Sequence, residues 1–477
     1  MSSRWKGRGA ARVLGLVLAL AAVFSVPVWV LAALPGHIRV ARDQSLHLGG
    51  YLPVPMTVRV APAGILRVSG AESGPGEQRL GLGQPLQIQG LDPGRTRLDF
   101  RIFGLIPIRR MTVDVVPPLK LVPGGHSIGV VLRSRGVLVV GEAGIAVAPG
   151  TTVYPAREGG IQVGDRILRI GNHEALSEAL VQKEIEAAGR RGESVKVTLW
   201  RRGREITTQV RPVLDPQSGR WRIGLYIRDG AAGVGTLTFY DPGSGRYGAL
   251  GHIIADSETG QPIPVRDGHI VRATVIDIDK GARGQPGEKV GELTGPDRWI
   301  GSIEQNTRFG IFGRLEAPLH NPLYPEPIPV AMAGQVRKGK AELLTVVGGE
   351  RLERFEVEIV DLARSPGPDG RHMVLRVTDP RLLARTRGIV QGMSGSPIIQ
   401  DGRLVGAVTH VFVNDPSRGY GVLIEWMLQE AGLLQPPASS GPGAPGPGAQ
   451  NWQNSWPHGV LSAARPLQLA ESGVPCG

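Results

Sequence analysis

The chain is expected to be mainly β and divided into several domains, on three observations. Of its 477 residues, 69 are glycine and 39 proline, while aromatic residues make up only 5%, a balance that favours turn-rich sheet over long helices. Short alternating apolar runs, such as Met56-Thr57-Val58-Arg59-Val60 and Met111-Thr112-Val113-Asp114-Val115-Val116, recur between Gly and Pro turns. One uncharged stretch near the N-terminus stands apart from this pattern and reads as the single long helix. The length accommodates roughly two to four independent cores.

The elements follow in order. Arg4, Lys6, Arg8 and Arg12 precede an uncharged run from Val13 to Leu34, about what a helix needs to cross ~30 Å of hydrocarbon. Positive flanks stay cytoplasmic, so everything after Pro35 is expected on the far side. Residues 1–35 are therefore read as a cytoplasmic stub and a retained single-pass anchor. The competing reading is a signal peptide cleaved near Ala32-Ala33. Residues 36–117 form a small β domain, closed by Pro117-Pro118. Residues 118–214 change character and contain one helical segment, Ser177 to Ala188. Residues 215–434 return to strand-like runs with glycine turns. From 435 to 477 the chain opens with PPASSGPGAPGPGAQ, a Pro/Gly/Ser tail expected to be disordered.

Charge and cysteine content narrow the function classes. The net charge of +12 is spread along the chain, without zinc-finger spacing, a recognition-helix pattern or a basic-aromatic stripe. This argues against nucleic acid and is compatible with an anionic membrane surface. The only cysteine is Cys476, so no internal disulfide and no cysteine metal site can form. Neither an HExxH pattern nor a P-loop is present, and no metal or cofactor is expected.

Within 118–214, the phrase GGIQVGDRILRIGN is followed by the helical segment, the strand Ser194 to Trp200 and a turn at Arg201-Arg202-Gly203-Arg204. This order resembles a PDZ domain. The resemblance implies capture of an extended peptide by strand addition beside Ser127, Ile128, Gly129 and Val130.

The chemistry centres on Gly392-Met393-Ser394-Gly395-Ser396-Pro397. A serine between glycines, flanked by apolar strands, leaves room for a substrate backbone and lets the turn aim N–H groups at a developing oxyanion. Ser394 is the candidate nucleophile, and the N–H groups of Gly392 and Ser394 are the candidate oxyanion donors. A serine needs a base, and His252 in Ala249-Leu250-Gly251-His252-Ile253-Ile254 sits in a comparable setting, with His410 as its rival. The order His before Ser, with the Gly-x-Ser-Gly-x-Pro form, matches chymotrypsin-like double β-barrel proteases. A carboxylate that orients the imidazole is sought in Asp379, Asp277 and Asp279, and spacing alone leaves the three open.

Taken together, the phrases SIGVVLRSRGVLVVG, GGIQVGDRILRIGN, GALGHIIAD and TRGIVQGMSGSPIIQDGRLVGAVTHVFVNDPSRGYGVLIEWML resemble the stage IV sporulation protein B peptidases of endospore-forming bacteria. The resemblance implies Ser394 as nucleophile, His252 as base and Asp379 as the supporting carboxylate. It further implies self-cleavage and secretion from the forespore into the space between two membranes. There the peptidase would cut a membrane-bound inhibitor of the metalloprotease that processes pro-sigma-K. Two departures from the family pattern are Thr386-Arg387-Gly388, where paired glycines are common, and the Gly/Pro tail. The alternative from a different class is a membrane-anchored PDZ scaffold with an inactive protease-like domain.

Overall fold

The computed structural model describes residues 35–435 apart from 49–55, 70, 73–77, 81–85, 318 and 364–369. The expected anchor at 13–34 and the tail from 436 lie outside the described residues. Among the described residues no helix is long and apolar enough to cross a membrane.

The first domain is a pair of sheets. His37–Ala41 lies parallel to Ile106–Val116, which pairs with Gly94–Ile102 in a six-stranded sheet. A three-stranded sheet of Ser45–Leu48, Leu86–Gly90 and Leu66–Ser69 accompanies it. In Gly94–Ile102 every second residue from Thr96 to Ile102 is buried, the period of two that a half-buried strand requires. Val58, Ile88, Leu98 and Met111 form the centre of this core. Arg39 ties the domain to the rest of the chain. Its guanidinium donates to Glu425 at 2.6 Å with both side chains buried.

The chain from Ser127 to Leu423 holds two six-strand rings. In the first, Ser127–Glu142 pairs with Val265–Asp279, then Glu288–Thr307, Gly310–Leu315, Arg246–Ala249 and Leu225–Tyr240, which pairs back onto Ser127–Glu142. The second is a closed antiparallel barrel of Gly339–Val346, Leu352–Leu362, Met373–Val377, Asp415–Leu423, Arg403–Phe412 and Pro397–Gln400. Phe355, Leu375, Ile398 and Val408 fill it.

Ser127–Glu142 corrects the sequence reading. Its first half, assigned above to a peptide-binding groove, is a staff of the first ring. Ile128, Gly129 and Val130 are paired on one side with Gly235, Val234 and Gly233, and on the other with Arg272, Val271 and Ile270. Ser127 is paired with Thr236. With both edges hydrogen-bonded at Ile128, Gly129 and Val130, no peptide can add a strand there, and Ser127 is already paired on one edge. Residue 118 itself lies between Ile106–Val116 of the first domain's sheet and Lys120–Pro123, which pairs with Leu225–Tyr240, and it is the stretch from Lys120 to Arg133 that joins the first ring rather than the unit expected over 118–214. Only the second half of the strand, from Val137, enters a separate α/β unit with Arg166–Ile170, Val195–Arg201 and Arg204–Val210.

The helix of that unit, Glu178–Arg191, begins where the Ser177 hydroxyl accepts from the Leu180 N–H at 3.2 Å and ends at the left-handed Gly192, as capping rules require. Val181, Ile185 and Ala188 face its core.

Candidate active site

The two rings each carry one of the candidate side chains, on turns that meet. His252 follows Arg246–Ala249 on the first ring, through a turn in which Leu250 has φ +70° and Gly251 φ +74°. A leucine in the left-handed region is a strained choice for a bulky side chain, and it reverses the chain just before the imidazole. Ser394 precedes Pro397–Gln400 of the second ring, in a turn with Gly392 at φ +88° and Gly395 at φ +92°.

The two turns abut. A Cβ on Gly395 would lie 2.1 Å from the Thr236 carbonyl oxygen and 2.4 Å from the Leu250 nitrogen, so only glycine lets the serine turn approach the histidine turn this closely. The His252 and His410 rings stand 4.9 Å apart between centroids. His410 adjoins Thr409, whose carbonyl accepts a 2.8 Å bond from the Ser394 Oγ.

Three features set the chemistry of the pair. His252 Nδ1 faces the Ile253 carbonyl at 2.9 Å; a carbonyl only accepts, so a neutral imidazole carries its proton on Nδ1 and leaves Nε2 as a free acceptor. Desolvation pushes the His252 pKa below its ordinary value, with a smaller opposing effect from the Ile253 carbonyl. His410 is pushed down to about 3, first by burial and then by the neighbouring His252 and Arg371. Both rings are therefore neutral near pH 7. Among the described residues, His410 Nδ1, Thr409 Oγ1 and Ser396 Oγ are buried without a partner.

The serine turn is held from beneath. Thr236 Oγ1 donates to the Gly392 carbonyl at 2.7 Å, and Thr238 Oγ1 to the Gly395 carbonyl at 2.8 Å. The Thr236 N–H donates to the Ser394 carbonyl at 3.0 Å. The N–H groups of Met393, Gly395 and Ser396 are taken up by Val390, Val408 and Met393 carbonyls. Those of Gly392 and Ser394 make no such bond among the described residues, which leaves the two expected oxyanion donors uncommitted.

Below the turn lies Lys289, 2% exposed. Its Nζ donates to the hydroxyls of Thr345 at 2.9 Å, Thr236 at 3.3 Å and Ser127 at 3.4 Å. No carboxylate pairs with it among the described residues, and burial pushes its pKa down to about 7. Its stem packs against Gly392, where an added Cβ would meet the Lys289 Cβ at 3.0 Å. Sequence reasoning missed Lys289, Thr236, Thr238 and the Thr409 carbonyl. The alternation Thr236-Leu237-Thr238 within an apolar strand was the one available signal, two hydroxyls on a face that had to be buried.

Asp379 is the second correction. It caps the helix Pro380–Thr386, accepting from the Arg381 N–H at 2.8 Å. Its carboxylate also takes Arg381 Nη2 at 2.8 Å and the Glu356 N–H at 3.2 Å. The Arg381 bond is the chief cause that holds its pKa well below the ordinary value, against the opposing cost of burial. In this structure the carboxylate is thus occupied by a helix N-terminus and an arginine, and His252 is oriented instead by the Ile253 carbonyl. Asp277 and Asp279 are exposed on Val265–Asp279, and Asp277 accepts from the Ile278 N–H next to it.

The second turn of note, Thr386-Arg387-Gly388, ends the Asp379-capped helix with Arg387 at φ +60°. Arginine there adopts the backbone that a glycine ordinarily supplies.

The comparisons with known proteins bear on this region. A family model described as SpoIVB peptidase S55 matches residues 219–428. No curated protein matches the chain. Among solved structures, the active form of the Rv3671c protease from M. tuberculosis is 17% identical, covering 43% of this chain and 77% of that one, at a TM-score of 0.26. An inactive serine-to-alanine mutant of Rv3671c from M. tuberculosis H37Rv is 18% identical, covering 43% and 83%, at a TM-score of 0.25.

Proposed function

We propose, on the match of residues 219–428 to the SpoIVB peptidase S55 family model, that this serine peptidase is a membrane-anchored, self-cleaving endopeptidase of sporulation signalling. Its substrates are itself and a membrane-bound inhibitor whose removal releases pro-sigma-K processing. The bulk of the chain works outside the cytoplasm, in the space between forespore and mother-cell membranes. The α/β unit from Val137 onward serves as a PDZ-type regulator.

The observation that carries the catalytic part is the contact of the two turns, one bearing Ser394 and the other His252. The cycle is acyl transfer. The Ser394 hydroxyl leaves the Thr409 carbonyl and gives its proton to His252 Nε2 as Oγ bonds to the scissile carbonyl carbon. The tetrahedral oxyanion rests on the Gly392 and Ser394 N–H groups. His252 then returns the proton to the leaving amine, and water repeats the sequence to free the acid. Ser394 Oγ is bonded to a carbonyl rather than to His252, and this is the one feature that favours the alternative, a scaffold with a silent protease-like domain.

Fluorophosphonate labelling of the full chain separates the two. The expected result is label on Ser394 and loss of that label in His252→Ala. Self-cleavage is expected to fall about a millionfold in Ser394→Ala, with the fold retained. Absence of label on the intact, folded chain would refute the enzyme reading.

A further inference from the structure

The hairpin that joins Gly94–Ile102 to Ile106–Val116 ends in a concentrated apolar surface. Phe103 is 64% exposed, Leu105 80% and Ile106 55%. Phe103 has φ +52° and Gly104 φ +71°, and the Leu105 N–H donates to the Ile102 carbonyl at 3.1 Å. This is a two-residue turn with both central residues left-handed, a place normally filled by Asn-Gly or Gly-Gly. A phenylalanine there is strained, and its exposed ring recovers little of that strain by packing within its own domain. Strain retained at an exposed tip points to a use outside the domain.

Arginines stand directly behind the tip. Arg101 and Arg109 each have a buried Nε without a hydrogen-bond partner among the described residues. Arg110 is bonded to Asp99 at 2.8 Å. Apolar residues in front and arginines one step behind are the order in which a bilayer presents its acyl boundary and its phosphates.

The direction of the chain supplies the occupant. His37–Ala41 runs parallel to Ile106–Val116 with His37 opposite Thr112, and the Thr112 N–H donates to the Gly36 carbonyl at 2.9 Å. Followed backward from Ala41 to His37, the strand therefore runs toward the hairpin tip. Six residues separate Ile106 from Thr112, so the tip reaches ~20 Å beyond His37 at ~3.3 Å per residue. The uncharged run ends at Leu34, two residues before Gly36. A chain that leaves a bilayer so close to Gly36 brings the hairpin tip to the surface of that bilayer.

We propose that the tip at 103–106 inserts into the interfacial zone of an anionic bilayer, with Arg101 and Arg109 on lipid phosphates, and so sets the orientation of the peptidase over the membrane. This rests on reading 13–34 as the membrane span.

The test places an environment-sensitive nitrobenzoxadiazole probe on the full chain as Leu105→Cys with Cys476→Ser, reconstituted in phosphatidylcholine vesicles containing phosphatidylglycerol. A second labelled chain, Glu205→Cys with Cys476→Ser, reports an exposed site on the α/β unit. The expected result is blue-shifted emission at position 105 that spin-labelled lipid quenches by more than half, with neither change at 205. Replacing phosphatidylglycerol by neutral lipid is expected to reduce the quenched fraction severalfold, about fivefold for each arginine released. An unquenched, water-like probe at 105 overturns the proposal. So does a blue shift that lipid does not quench, which would mean a protein occupant. Alkaline extraction of the same vesicles separates the two readings. Retained chain with an unquenched tip leaves the anchor standing and removes the docking, whereas extracted chain with an unquenched tip removes both.

Discussion

Replacing Lys289 with methionine keeps the length of the side chain and removes the buried ammonium, and the consequence can be worked out for each pH. An ordinary lysine titrates at 10.5 and Lys289 at about 7. At about 1.4 kcal/mol for each factor of ten, that difference is about 5 kcal/mol of unfavourable burial when the group is charged in both states. Against it stand three bonds to Thr345, Thr236 and Ser127, at about 1 kcal/mol each. Lys289→Met is therefore expected to be more stable than the parent by about 2 kcal/mol at pH 6.

The sign of the pH dependence follows from proton counting. Between about pH 7 and pH 10 the unfolded lysine holds a proton that the folded one has lost, so the parent gains stability as pH rises through that window. By pH 9 the burial cost has fallen by about 3 kcal/mol, and the methionine variant is expected to be the less stable of the two by about 1 kcal/mol. Pulse proteolysis of both full chains in urea at pH 6 and pH 9 reads the crossover. An unchanged difference at the two pH values would refute an uncompensated buried lysine. Activity is expected to fall in the same variant. Lys289 holds the Thr236 hydroxyl, which holds the Gly392 carbonyl, and a shifted oxyanion donor costs up to about a hundredfold in rate.

Asp379→Asn keeps a competent N-cap but loses the negative charge that faces the helix N-terminus and Arg381, and is expected to cost about 1 kcal/mol at neutral pH. This difference should begin to shrink below the ordinary carboxyl value and vanish only below the depressed one of about 2, so urea midpoints at pH 7 and pH 3 should show it reduced by about half. Its fluorophosphonate labelling rate is expected to stay within about tenfold of the parent; a loss of about 10⁴ would restore Asp379 as the group that orients the imidazole. The acid limb of that labelling rate is expected below the ordinary histidine value of 6.5, because burial lowers His252. A limb at or above 6.5 in a profile measured from pH 4 to pH 8 would contradict the burial of the base.

The turns that carry Ser394 and His252 were legible because their surroundings are local. Glycines on both sides of a reactive residue, between apolar strands, record a turn that must be tight wherever the rest of the chain lies. The mainly β character was legible for the same reason, since alternation is a property of each strand alone. What escaped was set by pairing at long range. The run SIGVVLRSRGVLVVG reads as one continuous strand, and nothing within it records that 127–133 would be claimed on both edges by residues about a hundred positions away. Lys289, in Gly287-Glu288-Lys289, looks like an exposed turn charge until Thr236, Thr345 and Ser127 are brought around it. Asp379 shows the converse: Asp-Pro before a helical run is itself a capping signal, a local reading that outweighed the expectation carried by the resemblance.

The two candidate residues are held largely from the same two strands of the first ring, Leu225–Tyr240 and Glu288–Thr307, but by different side chains. Ser394 is placed by Thr236, Thr238 and, through Thr236, by Lys289, all in the strands of the first ring. His252 opens a loop tied down by other side chains. Asn306 clamps it by bonds to Ile254 and Ile263. Arg228 holds the fully buried Asp256 carboxylate at 2.9 Å, and Gln261 donates to the Gly164 carbonyl at 2.9 Å. Gly164 lies in the α/β unit, and Arg228 sits on the part of Leu225–Tyr240 that pairs with Leu138. Displacement of the α/β unit would therefore bear on the loop that carries His252 through Gln261, while the threonines that hold the Ser394 turn lie in the ring. A hydroxyl without its base is a weak nucleophile, so in the proposed cycle the position of this loop decides whether Ser394 is activated.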